Sequence, residues 1–80
     1  MNENEPTVIA YHYGAAGRAE QSSRFWMLAG DRADERLAFT EAIANFTSAL
    51  AEAERVGDPQ VRTLLKVDAQ LKLGTTLAIY

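Results

Sequence analysis

Three groups of side chains in this chain carry groups able to do chemistry, and each has a competing structural use. Asp31, Asp34 and Glu35 place three carboxylates within five positions, a set suited to acid–base work or to a hard cation held through oxygen. Arg32 and Arg36 are interleaved with them, and mixed signs in that pattern describe a solvated helix face. Ser22 and Ser23 offer hydroxyls, but no base lies near them in sequence to take a proton and create a nucleophile. His12 is the sole histidine, so a metal site built on paired imidazoles is excluded within one chain; between Tyr11 and Tyr13 it reads as a helix residue with local hydrogen bonds. The chain has no cysteine, which removes disulfides and thiolate ligands. The expectation is a protein with no catalytic residues, no metal site and no cofactor: not an enzyme.

Recognition is the chemistry that remains. Arg24, Arg32 and Arg36 fall at i, i+8 and i+12, along one helical edge, where they either dock an acidic segment or pair with acids three or four positions away, as Glu20 would with Arg24. Trp26 has two readings, as a core ring between helices or as an interface anchor of the kind enriched in binding hot spots. Phe25 points roughly 100° away from it on a helix, so one ring of the pair faces a different neighbour. Leu73, Leu77 and Tyr80 leave an apolar end with no following helix to cover it. These residues form the expected interaction surface.

Helices must position them. Ser22, Trp26 and Ala29 set a small–aromatic–small pattern, and twenty positions on Ala42, Phe46 and Ala49 repeat it; i, i+4 and i+7 share one helix face. Residues 1–5 read as a frayed tail and 6–80 as a single helical domain. Pro6 suits a first helical turn, Ile9, Ala10 and Tyr13 share a face, and Gly17 stops this first helix. The second runs from Ala19 to about Phe39 along Ala19, Ser22, Trp26, Ala29, Ala33 and Leu37. Gly30 within it costs about 1 kcal/mol relative to alanine; either another backbone approaches closely there, or the helix breaks and Asp31 caps a new one. Thr40 is the expected N-cap of the third helix, whose buried face is Ala42, Ile43, Phe46, Ala49, Leu50, Ala53 and Val56. Gly57 then serves as C-cap, Asp58 as N-cap and Pro59 as the first residue of the fourth helix. That helix carries Val61, Leu64, Leu65, Leu71, Ala78 and Ile79 as its apolar stripe, interrupted by Asp68 and Thr75, with Leu73, Gly74 and Leu77 forming a slot for a neighbouring helix.

Composition narrows the class. The hydrophobic fraction is 48% and the charged fraction 24%, too apolar for a disordered chain, while 80 residues bury only a thin core. No run approaches the ~18 apolar residues of a membrane span, and the N-terminal residues lack the features of a signal peptide. The formal charge of −3 argues against nucleic acid. The charge is −3 over residues 40–58 and +2 over 59–80, which favours antiparallel packing of the third and fourth segments, though exposed pairs contribute only ~0–1 kcal/mol each. A cytoplasmic location fits the lack of cysteine.

Tyr13, Gly17, Ser22, Trp26 and Ala29 resemble the Tyr–Gly–Ala–Phe–Ala spacing of a tetratricopeptide repeat, with Ser where Ala is usual. Ala42, Phe46 and Ala49 repeat its second half, and Leu73-Gly74 with Leu77 is similar to the opening of another unit. The match is nearer to one subgroup, the helical-repeat tail of bacterial predicted ATPases, many fused to adenylate or guanylate cyclase domains. Its carriers here are His12-Tyr13, Ala16-Gly17, Glu20-Gln21, Phe25-Trp26, Ala29-Gly30, Ala33, Glu41-Ala42-Ile43 and Leu71-Lys-Leu-Gly74. The twenty-residue echo departs from the ~34-residue period of regular repeats. The chain also contains neither a phosphate-binding loop nor a cyclase segment, so only a scaffold role carries over. The resemblance implies an all-α array of antiparallel helical hairpins, four helices in a tetratricopeptide-like superhelix. The expected function is a non-enzymatic protein-interaction or regulatory scaffold, a helical-repeat fragment of a larger signalling ATPase or cyclase. The alternative is a self-contained small helical homodimer with an unrelated partner. Since such arrays leave their terminal faces uncovered, a homodimer through the fourth helix and the exposed side of the first or second is expected, with no nucleic acid and no membrane.

Overall fold

Two turns of the same backbone design set the architecture. In the first, Gly17 adopts φ 77°; the Arg18 N–H donates to the Tyr13 carbonyl at 2.8 Å and the Gly17 N–H to the Gly14 carbonyl at 3.1 Å. In the second, Leu37 adopts φ 60°; the Ala38 N–H donates to the Ala33 carbonyl at 2.8 Å and the Leu37 N–H to the Asp34 carbonyl at 2.9 Å. Both are Schellman motifs, in which a left-handed residue past the helix end lets two N–H groups satisfy orphan carbonyls. The residue after each, Arg18 (φ −97°, ψ 74°) and Ala38 (φ −88°, ψ 71°), starts the next helix without a side-chain cap. The twenty-residue echo is therefore a repeat of turn geometry as well as of side-chain size.

The computed structural model describes residues 5–79, in four helices: α1 (Pro6–Ala15), α2 (Ala19–Glu35), α3 (Phe39–Ala53) and α4 (Pro59–Ile79). Among the described residues there is no strand, so the all-α class and the helix number stand as expected. The proposed tail at 1–5 lies outside the described residues except for Glu5, the N-cap position of α1, whose carbonyl accepts from the N–H groups of Val8 and Ile9. α2 packs between α1 and α3, α3 packs on α4, and α2 also touches α4. The Cα atoms fill a slab of 32 × 30 × 12 Å.

Several expected boundaries shift. α2 ends at Glu35 rather than near Phe39, because Leu37 takes the left-handed turn position and leaves its side chain 72% exposed. Ala38, and not Thr40, is the N-cap of α3, which starts at Phe39. Gly57 is not the C-cap of α3: the helix ends at Ala53 with Glu54 as its cap, and Gly57 has no positive φ. The end is instead tightened by i→i+3 bonds from Arg55 to Glu52 and from Val56 to Ala53. Arg62 Nη1 also donates to the Val56 carbonyl at 2.8 Å. Asp58 does cap α4, its Oδ1 accepting from the N–H groups of Gln60 (2.9 Å) and Val61 (3.3 Å), the N2 and N3 donors that an N-cap satisfies.

The core is built from alanine and one large ring. Ala33, Ala42, Ala49 and Ala69 bring α2, α3 and α4 together around Met27 and Phe46, and Phe46 is completely buried. α2 does not break at Gly30. The approach there is by the Phe46 ring rather than by a backbone: a Cβ at Gly30 would lie 2.5 Å from Phe46 Cδ1 and 2.8 Å from Cζ. A second cluster joins Ala19, Ala53, Val56 and Leu65. Ser22 and Ser23, both fully buried, bond to opposite neighbours. Ser22 Oγ donates to the Ala10 carbonyl on α1 and Ser23 Oγ to the Ala49 carbonyl on α3, each at 2.8 Å. Adjacent residues on a helix point about 100° apart, which is why two consecutive hydroxyls can serve two flanking helices.

Candidate interaction surface

Two of the three carboxylates considered for acid–base work, Asp31 and Asp34, hold helices together, while Glu35 is exposed. Asp31 on α2 accepts from Lys72 on α4 at 2.7 Å, and three residues on Asp34 accepts from the buried Thr76 hydroxyl at 3.0 and 3.2 Å. The start of α2 at Ala19 clusters with the start of α4 at Val61 and Leu65, and these bonds join the later parts of both helices, so α2 and α4 run parallel. The hydrogen bond that Lys72 donates to Asp31 raises the Lys72 pKa above its ordinary value; partial burial opposes this, and the charges of Asp31, Asp68 and Asp34 add to the rise. Lys66 pairs with Glu54 at 2.9 Å, the antiparallel α3–α4 attraction expected from segment charges, whereas Lys72 reaches across to α2. Among the described residues no three His, Asp or Glu side chains are grouped to hold a metal ion. His12 is exposed, its ring set edge-on to Tyr11 at 6.0 Å.

The expected surface residues do not converge on one site. Arg24 pairs with Glu20 at 3.1 Å, as anticipated, and Arg36, the cap residue past α2, pairs with Glu41 at 2.7 Å. Arg32 and Arg36 share a cleft with Glu5, Thr7 and Asn45, which Arg24 does not line. Phe25 stacks on Tyr13 with ring centroids 5.7 Å apart and planes 17° from parallel, so its partner is α1. Trp26 is half-buried at the core's edge, beside a groove lined by Tyr11, Gly14 and Glu52; Met27 takes the buried position that the stripe assigned to Trp26. Leu73 packs partly against the core, Leu77 is exposed, and Tyr80 lies outside the described residues.

α4 carries the feature that the sequence reading missed. Leu65, Ala69 and Thr76 are its buried residues. Leu64 (71% exposed) and Leu71 (66%), two members of the expected apolar stripe, are turned outward with Val67. Leu64, Val67, Leu71, Gly74 and Ala78 recur at spacings of three and four, an outer stripe of coiled-coil type, and all five are exposed. Nothing lies within 4 Å of a Cβ placed on Gly74, so the slot expected at Leu73-Gly74 is open. The basic side chains of α4 are drawn toward the body by Val56, Glu54 and Asp31, leaving Asp68 as the charge beside the stripe. The signal was present as two interleaved 3–4 stripes, 61–65–69–73–76 and 64–67–71–74–78.

Compared with known proteins, the chain matches no family model, no curated protein and no solved structure. The class that the fold defines is an all-α bundle of four helices with alternating direction, and no helix among the described residues is long and apolar enough to cross a membrane.

Proposed function

We propose that this chain is a non-enzymatic protein-interaction scaffold of the cytoplasm, a tetratricopeptide-like helical-repeat unit that serves a larger signalling ATPase or cyclase. The observation that carries the reading is the outer face of α4, where Leu64, Val67 and Leu71 stand exposed on a helix fixed to two others. The repeated turns at Gly17 and Leu37 support the helical-repeat part of it. Carboxylates and serines engaged in pairing helices and arginines held in ion pairs with nearby acids support a binding role over a catalytic one. A gene context in which a phosphate-loop ATPase or cyclase domain adjoins this reading frame is the expected finding for the signalling assignment.

The binding role has its own test. The double variant Leu64→Gln, Leu71→Gln is expected to keep its helical circular dichroism and its thermal midpoint in dilute solution, since neither side chain contributes to the chain's own core. A loss on the scale of buried-leucine removal, about 2–5 kcal/mol, would assign the face to folding and overturn the proposal.

A further inference from the structure

Resting on the reading of the α4 face as an interaction surface, we infer that its partner is a second copy of this chain, docked antiparallel, α4 against α4, with Leu64 of each copy seated over the partner's Gly74. Three observations lead there. The first is self-complementarity. In an antiparallel pair with its two-fold axis near position 69, residues whose numbers sum to about 138 face each other. Leu64 then meets the partner's Gly74, and Val67 meets the partner's Leu71. Each large side chain faces a small one or a matched one, and the same patch serves both copies, as two-fold symmetry requires. Gly74 costs about 1 kcal/mol in a helix interior, and nothing in its own chain occupies the space above it; a leucine from a second helix would.

The second observation is charge. Thr63, Gln70 and Leu77 flank the stripe on one side and Val61, Asp68 and Thr75 on the other. One carboxylate is the sole charge among these six, and it lies close enough to Lys72 to act on that residue's pKa. A seam this neutral selects an apolar partner face such as its own, not an acidic or basic segment. The third is continuity: α1–α2, α2–α3 and α3–α4 are each antiparallel, so α4 against α4 extends the alternation and opposes the helix dipoles. A helix contact over residues 60–78 is roughly 27 Å long and buries on the order of 1,000 Å² in total, at the lower end for specific interfaces. The dimer is therefore expected to form reversibly at micromolar concentration.

Sedimentation velocity on the full chain is expected to show a monomer–dimer equilibrium as concentration rises through roughly 1–100 µM. The Leu64→Gln, Leu71→Gln chain remains monomeric. Because the chain has no cysteine, orientation is read by oxidative cross-linking. A mixture of Leu64→Cys and Gly74→Cys chains gives the mixed disulfide, while Leu64→Cys alone gives little, its two copies being about 15 Å apart and beyond the ~7 Å a disulfide spans. Wild-type chain that stays monomeric, a double variant that dimerises undiminished, or Leu64→Cys chains that cross-link chiefly to themselves each overturn the inference. A monomeric wild type beside a double variant of unchanged stability sinks the self-pairing alone and leaves the interaction face standing. A double variant that loses stability sinks both.

Discussion

Two glycines on different helices illustrate how one residue type answers to different neighbours. Gly30 sits under the Phe46 ring, which would collide with any Cβ, whereas Gly74 faces open space. The same substitution is therefore expected to act with opposite sign. Gly30→Ala gains about 1 kcal/mol of helix propensity but forces the fully buried ring to move, and overpacking costs about 1–3 kcal/mol; its urea midpoint should fall. Gly74→Ala, measured dilute, collects the propensity gain and should rise. Leu37 is the counterpart among the turns. A non-glycine residue in the left-handed region costs about 1–2 kcal/mol, and its side chain, 72% exposed, recovers little of that by burial. Leu37→Gly is expected to stabilise the fold by ~0.5–1 kcal/mol once the greater freedom of glycine in the unfolded chain is set against the relieved strain. A lowered midpoint would mean that Leu37 makes a contact worth more than its strain.

At the scale of the helices, the polar contacts decide which elements meet. Ser22 and Ser23 tie α2 to α1 and α3, and Asp31 and Asp34 tie it to α4. The Asp31–Lys72 bond has a consequence for alkaline stability. Lys72 has a raised pKa in the folded protein, with the Asp31 hydrogen bond the largest cause. Its contribution is therefore fully present below the unfolded lysine value, about 10.4, and is lost as pH climbs through the higher folded value. Both side chains are more than a third exposed, so solvent screening holds the effect within the ~0–1 kcal/mol of a surface pair. Urea titrations across this alkaline range should show wild type losing slightly more stability than Lys72→Met. Identical pH profiles would show that the bond does not couple α2 to α4 in solution.

As a whole molecule, the chain is a slab 12 Å deep in Cα extent, with Phe46 its largest fully buried side chain. A core of this kind relies on close helix approach through alanine and glycine, since dispersion contacts between near backbones substitute for bulky side chains. It also leaves much apolar surface outside. α4 is apolar both on the side that carries Leu65 and Ala69 and on the outer side that carries Leu64, Val67 and Leu71. The Leu64→Gln, Leu71→Gln chain and the self-association measurement test the molecule as a whole, because only the folded chain defines which leucines are free.

The sequence by itself determined the helical class, four elements, the Asp58–Pro59 start of α4 and the buried face of α3 around Phe46. Each of these rests on local chemistry: periodicity, capping and a turn residue act within a few positions of one another. Three matters were decided only by the tertiary structure. Leu37 turns left-handed, although its place on the apolar stripe argued for helix, because ending α2 there lets α3 fold back with Ala42 in the cluster with Ala33 and Phe46 over Gly30. Trp26 sits at the edge of the core and Met27 inside it, in the same cluster as the Phe46 ring, which α3 supplies over Gly30. On α4, two stripes of equal periodicity compete. The choice of Leu65, Ala69 and Thr76 over Leu64, Val67 and Leu71 follows from the need for small residues and a hydroxyl where α3 and Asp34 come close, a requirement set by neighbours distant in the chain.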